Sequence, residues 1–542
     1  MKNNFNIFKV ATLFFASFLL SNAYSQQKTK PNILFIGIDD LKPILGCYGN
    51  TQIKTPNIDR LAKMGTVFMS NYCQQAVCGP TRASLMTGKR PDYTKVWDLK
   101  TKMRDINPDI LSLPQYLISQ GYSTQGIGKI YDSRCVDKKM DAASWSVPYY
   151  NYFKTEERYY AKETGMPVLG AYQLPETKEL AIKYTKEGKE KGLADKELDD
   201  YVSKFVKPSV ECADVPDNAY NDGANASRAL EILEKLKSDP KPFFFAVGFS
   251  KPHLPFVSPK KYWDLYKRED MIVAPFQEKS KNGVDVAYHN AGEMRGYSDI
   301  PPLVSFTDQK DFGLTLPLEK QKELIHGYFA SVSYTDAQVG KLLDKLDELG
   351  LTKNTIIVLW GDHGWHLGDH NIWCKHSNFE QATRTPMIIS VPGIAPSVTS
   401  APSEFVDIFP TLCDAAGVKI PETLDGKSLL PLINKSAKSV KDYSISQYPR
   451  SGNVSETERQ GYASSKVMGY SLRDKRYRYT IWMTNDFRSN KPFNSDLIVG
   501  TELYDYEKDP NETVNVADVK EYKSVAKDLK SKMLKFLATQ VK

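Results

Sequence analysis

Four short runs rich in Ile, Val and Phe constrain this chain most: Asn32 to Ile38, Phe243 to Phe249, Thr355 to Trp360 and Met387 to Val391. Each has the length of a strand and is apolar almost throughout, the pattern of a strand covered on both faces. Amphipathic stretches such as Ala224 to Lys237 and Lys322 to Leu349 lie between them. This alternation predicts an α/β fold, a large sheet sandwiched by helices. The first three runs end abruptly in polar clusters: Asp39-Asp40, Lys251-Pro252-His253 and Asp362-His363-Gly364. Ligands of open α/β sheets bind at the carboxyl ends of strands, so these clusters are expected to converge.

Composition narrows the class. With 41% hydrophobic and 25% charged residues, the 542-residue chain is neither fibrous nor wholly disordered. Its formal charge of +7 is spread among alternating acids and bases, so no nucleic-acid partner is expected. Residues 1–25 read as a signal peptide: Lys2 and Lys9, an apolar run from Val10 to Leu20, then small residues at Ala23-Tyr24-Ser25. Its removal deletes two lysines and no acids, taking +7 to +5. No Cys at the cleavage site suggests a lipid anchor, and no later stretch has the length and apolarity of a transmembrane segment. An exported protein, periplasmic or secreted, is expected. A catalytic domain is expected over 26–436, with a Lys-, Glu- and Tyr-rich insertion at about 137–215. A smaller C-terminal α+β domain over 437–542 is expected from strand-like runs at Ser444 to Gln447, Met468 to Arg473, Tyr477 to Met483 and Glu502 to Tyr506. A charged helix, Val519 to Leu537, closes it.

Export would place the seven cysteines, Cys47, Cys73, Cys78, Cys135, Cys212, Cys374 and Cys413, in an oxidising compartment. Their odd number leaves at least one without an intramolecular partner, and their spacings fit neither a dense disulfide scaffold nor a zinc site. Cys78 opens the stretch Cys78-Gly79-Pro80-Thr81-Arg82-Ala83-Ser84-Leu85-Met86-Thr87-Gly88. Pro80 suits the first turn of a helix, which puts Cys78 at a helix N-terminus where backbone N–H groups favour an anion. Arg82 follows one turn on, able to fork onto an oxyanion.

That stretch resembles the C-x-P-[S/T]-R-x-x-x-[L/M]-T-G signature of the type I sulfatases, in which the Cys is oxidised to formylglycine (3-oxoalanine). The wider pattern resembles the iduronate-2-sulfatase-like branch of that family, within the alkaline-phosphatase superfamily. It runs through Pro31 to Asp40, Thr55 to Asp59, Gly126 to Lys129, Phe243 to Phe256 and Gly361 to Trp365, then Lys375 to Phe379, Gln447 to Arg450, Met468 to Ser471 and Glu502 to Asp505. An Asp-Asp pair alone is ordinarily a turn or helix cap. The resemblance implies instead a Ca²⁺ site of Asp39, Asp40, Asp362, His363 and the modified Cys78. Oxygen ligands suit Ca²⁺; His363 is the unusual member. It also implies Arg82, Lys129 and Lys375 around the sulfate and His253 as the proton donor to the leaving oxygen. His366, His370 and His376 crowd the same region, either cleft-lining or merely solvated. The branch commonly carries His three residues after the first lysine; here that residue is Asp132. Either Asp132 points away from the sulfate, or the general-base step uses another residue.

The implied activity is hydrolysis of sulfate esters on carbohydrate, with a sulfated uronic acid or related sugar as substrate. Glycosaminoglycan and algal polysaccharide fragments of ulvan or carrageenan type both stay open. A formylglycine-generating enzyme is the implied maturation partner. A phosphonate or phosphodiester hydrolase of the same superfamily and a non-catalytic glycan-binding relative are the alternatives. Arg450, Arg473, Arg476 and Arg478 read as sheet-surface charges in preference to contacts with a sugar carboxylate.

Overall fold

The computed structural model describes residues 30–150, 172–289, 291–301, 316–450, 466–484, 487 and 494–540. The expected signal peptide and residues 151–171 of the expected insertion lie outside them. Seven strands form the main sheet: β1 (Asn32–Ile38), β2 (Thr66–Phe68), β3 (Ser123–Gly128), β4 (Phe243–Phe249), β5 (Thr355–Gly361), β6 (Met387–Ser390) and β7 (Ser397–Thr399), in the order β7-β2-β6-β5-β1-β4-β3. All run in one direction except β6, which is antiparallel to both neighbours.

Register explains why distant motifs meet. Ile38, the last residue of β1, pairs with Phe249 of β4 and with Gly361 of β5, and Gly128 of β3 pairs with Gly248. Four strands therefore end level, and the residues that follow them, Asp39, Lys129, Ser250 and Asp362, leave the sheet along one edge. Alternate residues of β1 feed two cores. Leu34, Ile36 and Ile38 pack beneath helices α2 (Asn221–Lys237) and α3 (Leu318–Glu348), against residues such as Leu233 and Leu342. Ile33 and Phe35 face the other way, towards Leu85 and Met86 of helix α1 (Cys78–Thr87) and towards Phe409 and Leu412. The fold is thus the sheet sandwiched by helices that the sequence predicts.

A second sheet of four antiparallel strands, β8 (Ser444–Arg450), β9 (Val467–Arg473), β10 (Tyr477–Met483) and β11 (Ile498–Asp505), lies beyond. Helix α4 (Lys523–Gln540) covers it with Leu529, Met533 and Leu537 packed against Leu472, Tyr479 and Ile481. The reading of its arginines as surface charges is corrected for three of them. Arg450, Arg473 and Arg478 are buried. Arg450 donates to the carbonyls of Val286 and Ala287, at 3.1 and 3.3 Å. Arg473 pairs with Glu380 at 3.2 Å, while Arg478 pairs with Glu380 and, at 2.9 Å, with Glu512. Their counter-charges come from outside the strands that carry them, so strand pattern alone does not reveal them. Arg476 is partly exposed and pairs with Asp505. No disulfide joins any of the seven cysteines, and among the described residues no helix is long and apolar enough to cross a membrane.

Candidate active site

Cys78 is the first residue of α1, preceded by Val77 in extended conformation, and every residue of this ten-residue helix is buried. Pro80 in the first turn costs no hydrogen bond, because the N–H it lacks would have no intrahelical acceptor. Gly79 keeps the helix close to its neighbour: a Cβ there would meet Cys135 Sγ at 2.4 Å. The Cys78 sulfur is thereby held 3.4 Å from Asp39 Oδ1, 3.5 Å from His363 Nε2 and 4.0 Å from Lys129 Nζ. Burial, reinforced by the Asp39 carboxylate, pushes the thiol well above its ordinary range.

Asp39 and Asp40 are consecutive, and in a continuing strand their side chains would point to opposite faces. Asp40 avoids this by taking φ +58°, a left-handed conformation that Asp tolerates better than most residues. Both carboxylates then face one cluster. Asp40 is locked there by its N–H, which donates to Asp362 Oδ1 at 2.9 Å, and by Tyr328 of α3, whose hydroxyl donates to its carbonyl at 2.7 Å. His363 Nε2 lies 3.3 Å from Asp40 Oδ1 and 3.5 Å from Asp362 Oδ1. Burial and the adjacent Asp39 charge push the Asp362 carboxyl up. Burial acts the same way on Asp39, but the Lys129 and Arg82 cations outweigh it and hold that carboxyl well below the usual range.

Arg82 reaches the cluster from α1. It is fully buried, with Nε 3.0 Å from Asp362 Oδ2, Nη2 2.9 Å from Asp39 Oδ1, and Nη1 donating to the carbonyls of Lys129 and Ile130. Its guanidinium braces the acidic cluster from behind and is spent on carboxylates, which attract it more directly than a ligand in the cleft.

The ligand atoms of Asp39, Asp40, Cys78 and His253 lie within 4.8 Å of one another, as do those of Cys78, Asp362 and His363. The three buried carboxylates among them, Asp39, Asp40 and Asp362, offer the oxygen donors that a hard divalent ion takes. His253 stands within reach of this cluster, although the expected ligand set left it out.

Lys129 and Lys375 complete the floor. Gly128, at φ +76°, and Gly248 allow β3 and β4 to close on each other: a Cβ on Gly248 would meet the Lys129 backbone at 2.2 Å. Lys129 N donates to the Gly248 carbonyl at 3.0 Å, and its ammonium is directed onto Asp39. Lys375 lies 3.0 Å from Asp40 Oδ1 and 3.1 Å from Glu293 Oε1. His253 Nδ1 donates to the Leu254 carbonyl at 2.6 Å, so Nε2 is the nitrogen turned to the cleft, 3.0 Å from Glu293 Oε1. Burial raises the Glu293 carboxyl, yet Lys375 and His253 together hold it well below its ordinary value. Glu293 escapes a sequence reading because it sits in an irregular segment without a motif.

Asp132 is buried and clasped by Arg134, which donates from Nε at 2.9 Å and from Nη2 at 2.7 Å. Burial would raise its carboxyl, but the Arg134 hydrogen bonds and Lys129 hold it at about 2. The charge that would oppose a sulfate is therefore compensated locally. Of the remaining histidines, His376 lines the cleft. His366, bonded to Ser377, and His370, stacked on Phe379, are buried packing residues. The cleft above Cys78 has a volume of about 860 Å³ and is also lined by Lys129, Arg134, His253, Glu293 and Lys375.

An acidic cluster thus lies under a cationic cleft at the carboxyl edge of a mixed α/β sheet. The family model described as Sulfatase matches residues 31–418, and one described as N-sulphoglucosamine sulphohydrolase, C-terminal, matches residues 368–539. The chain belongs to the sulfatase family and is a sulfuric ester hydrolase. Among its relatives is the human iduronate 2-sulfatase (Homo sapiens), 33% identical over 540 residues and matched over 90% of each chain. Two solved structures share its fold at 21% identity and a TM-score of 0.67. One is a protein in complex with its substrate D-glucosamine-2-N,6-O-disulfate, matched over 95% of this chain and 98% of that one. The other is the phosphonate monoester hydrolase of Agrobacterium radiobacter, matched over 94% and 96%.

Proposed function

We propose that this protein is an exported, Ca²⁺- and formylglycine-dependent sulfatase that removes a sulfate ester from a sugar, a sulfated uronic acid or related residue in oligosaccharides of glycosaminoglycan or algal polysaccharide. One observation carries the reading: Cys78, at the N-terminus of α1, stands among Asp39, Asp40, Asp362 and His363 and faces Lys129. The similarity to iduronate 2-sulfatase supports the choice of sugar.

Asp39, Asp40, Asp362 and His363 would hold the cation, with residue 78 completing the set. Ca²⁺ held there would supply positive charge beside residue 78. Formylglycine at position 78, formed from Cys78 by a formylglycine-generating enzyme, would supply a hydrated aldehyde as the nucleophile. Lys129 and Lys375 hold the sulfate oxygens and offset charge that develops on them. Arg82 acts one step back, fixing Asp39 and Asp362. His253 Nε2 gives its proton to the departing sugar oxygen, which takes the place of Glu293 as its partner, a role typically contributing about 10²–10⁴-fold.

A desulfation screen tests the proposal: matured enzyme with Ca²⁺, defined sulfated oligosaccharides, and a phosphonate monoester and a phosphodiester alongside, read by free sulfate and phosphorus products. Sulfate release from a uronate-containing oligosaccharide at higher kcat/KM than for either phosphorus ester is expected. Higher efficiency on a phosphorus ester refutes the sulfatase assignment, and binding without turnover of any ester favours the glycan-binding alternative.

A further inference from the structure

Most cations of the cleft already serve its own acids: Lys129 faces Asp39, and Lys375 faces Asp40 and Glu293. Arg295 lines the cleft as well, and two further cations stand at its rim. Lys100 is exposed and lines the same cleft as Cys78, and among the described residues its ammonium has no acidic partner. Arg134 lines the same cleft with its side chain 53% exposed, and its backbone N–H donates at 3.0 Å to Asp132, which is only 4% exposed. Arg134 also lines an adjoining cavity of about 400 Å³ walled by Tyr131 and Tyr149, so it stands where two ring-sized spaces meet.

The geometry of the pair is specific. Asp132 takes the Nε–H and one Nη2–H of Arg134, the side edge of the guanidinium. The donors left over, on Nη1 and the far side of Nη2, form the end edge of the fork, whose spacing matches two oxygens of a carboxylate or sulfate. Among the described residues no second acid engages that edge. A buried carboxylate that only repelled anions would have no reason to hold an exposed arginine in one rotamer; one that orients it turns a flexible side chain into a fixed donor. The pair is neutral overall, and Lys100 supplies net positive charge. Of the other candidates for reading a sugar carboxylate, Arg450, Arg473 and Arg478 are buried and Arg476 pairs with Asp505.

We propose that Arg134, oriented by Asp132 and assisted by Lys100, is a specificity-determining residue that binds a second anionic group of the substrate, a carboxylate or a further sulfate near the scissile ester. This rests on the reading of the cleft as a carbohydrate sulfatase site. It gives Asp132, which stands where the branch commonly has His, the task of positioning a recognition residue.

The test separates recognition from chemistry. Binding is measured by calorimetry on the full-length Cys78→Ala chain with Ca²⁺. Three probes are used: a 2-O-sulfated hexuronate disaccharide, its carboxyl-reduced counterpart, and a carboxyl-reduced disaccharide carrying a second sulfate. Arg134→Gln is expected to weaken the first or third probe by about 10-fold or more, the loss of a charge-assisted fork. The carboxyl-reduced monosulfate should lose less affinity than the doubly anionic probe, the loss of Asp132's counter-charge being common to all three. Which probe loses affinity tells carboxylate from sulfate. Arg134→Lys should fall between, and Asp132→Asn should shift affinity in the same direction. In turnover by matured enzyme, Arg134→Gln should raise KM for the doubly anionic substrate by a larger factor than KM for 4-nitrophenyl sulfate. Equal weakening of all three probes, no weakening of any, or no binding of a doubly anionic probe by the unsubstituted site overturns the proposal. Arg134-dependent binding without sulfate release by the matured wild type would overturn the sulfatase reading and leave the subsite standing.

Discussion

Replacing Arg82 with glutamine tests how the acidic cluster is held together. The guanidinium is fully buried, 2.9 Å from Asp39 and 3.0 Å from Asp362, whose side chains are also fully buried. Removing one partner of a buried ion pair costs roughly 3–5 kcal/mol, because the charge left behind has no compensation. A glutamine amide restores one hydrogen bond of about 1 kcal/mol, leaving a net loss of about 2–4 kcal/mol. At about 2 °C per kcal/mol for a large protein, the melting temperature in EDTA should fall by about 4–8 °C. Excess Ca²⁺ should narrow the gap, since an ion among the same carboxylates replaces much of the lost charge. Arg82→Lys keeps a charge but cannot fork, and should lie between the two. Thermal unfolding with and without Ca²⁺ measures this directly. A melting temperature for Arg82→Gln within about 1 °C of wild type in EDTA would refute the assignment of Arg82 as the brace of the cluster.

Other expectations follow from the same geometry. Glu293→Gln removes the carboxylate shared by His253 and Lys375 and should lower kcat by about 10–100-fold with a displaced pH profile; unchanged kcat and profile would contradict a positioning role for Glu293. Glu502, which accepts from Trp482 Nε1 and the Tyr504 hydroxyl at 2.9 Å, is pushed by burial up to about 7. The folded state then binds a proton that the unfolded chain has already released, so stability should fall as pH rises from about 4.3 to 7. Glu502→Gln should flatten that slope in melting temperature against pH, and an unchanged slope would contradict the shift. Arg478→Met leaves Glu512 without its arginine and Glu380 with Arg473 alone, and should expose the C-terminal segment to limited proteolysis, whereas Arg476→Ala should leave both melting temperature and cleavage pattern as in wild type.

The α/β sheet was legible because its central strands are buried on both faces. The runs at Asn32–Ile38 and Phe243–Phe249 match the observed strands residue for residue, and the polar clusters after them mark the edge where the site forms. The direction of Met387–Ser390 was not legible, since so short an apolar run reads alike in either orientation, and the three-residue strands Thr66–Phe68 and Ser397–Thr399 are too short to show a period. In the site, Cys78 and the two Asp clusters stood out because motif and strand end coincide. Glu293 had neither, and Arg134 showed its relation to Asp132 only once the turn joined them. The buried arginines were misread because a strand with alternating charge looks half-solvated until Glu380 and Glu512 are brought against it.

The most direct test of the central proposal joins the state of residue 78 to sulfate release. Protein produced with and without a formylglycine-generating enzyme would be digested, the fraction of the Cys78 peptide carrying aldehyde in place of thiol measured by mass, and free sulfate from a sulfated uronate oligosaccharide measured on the same samples in Ca²⁺. Sulfate release in proportion to the aldehyde fraction, and abolished by Cys78→Ala, is the predicted result. Equal release from unconverted and converted protein, or turnover surviving Cys78→Ala, would contradict it.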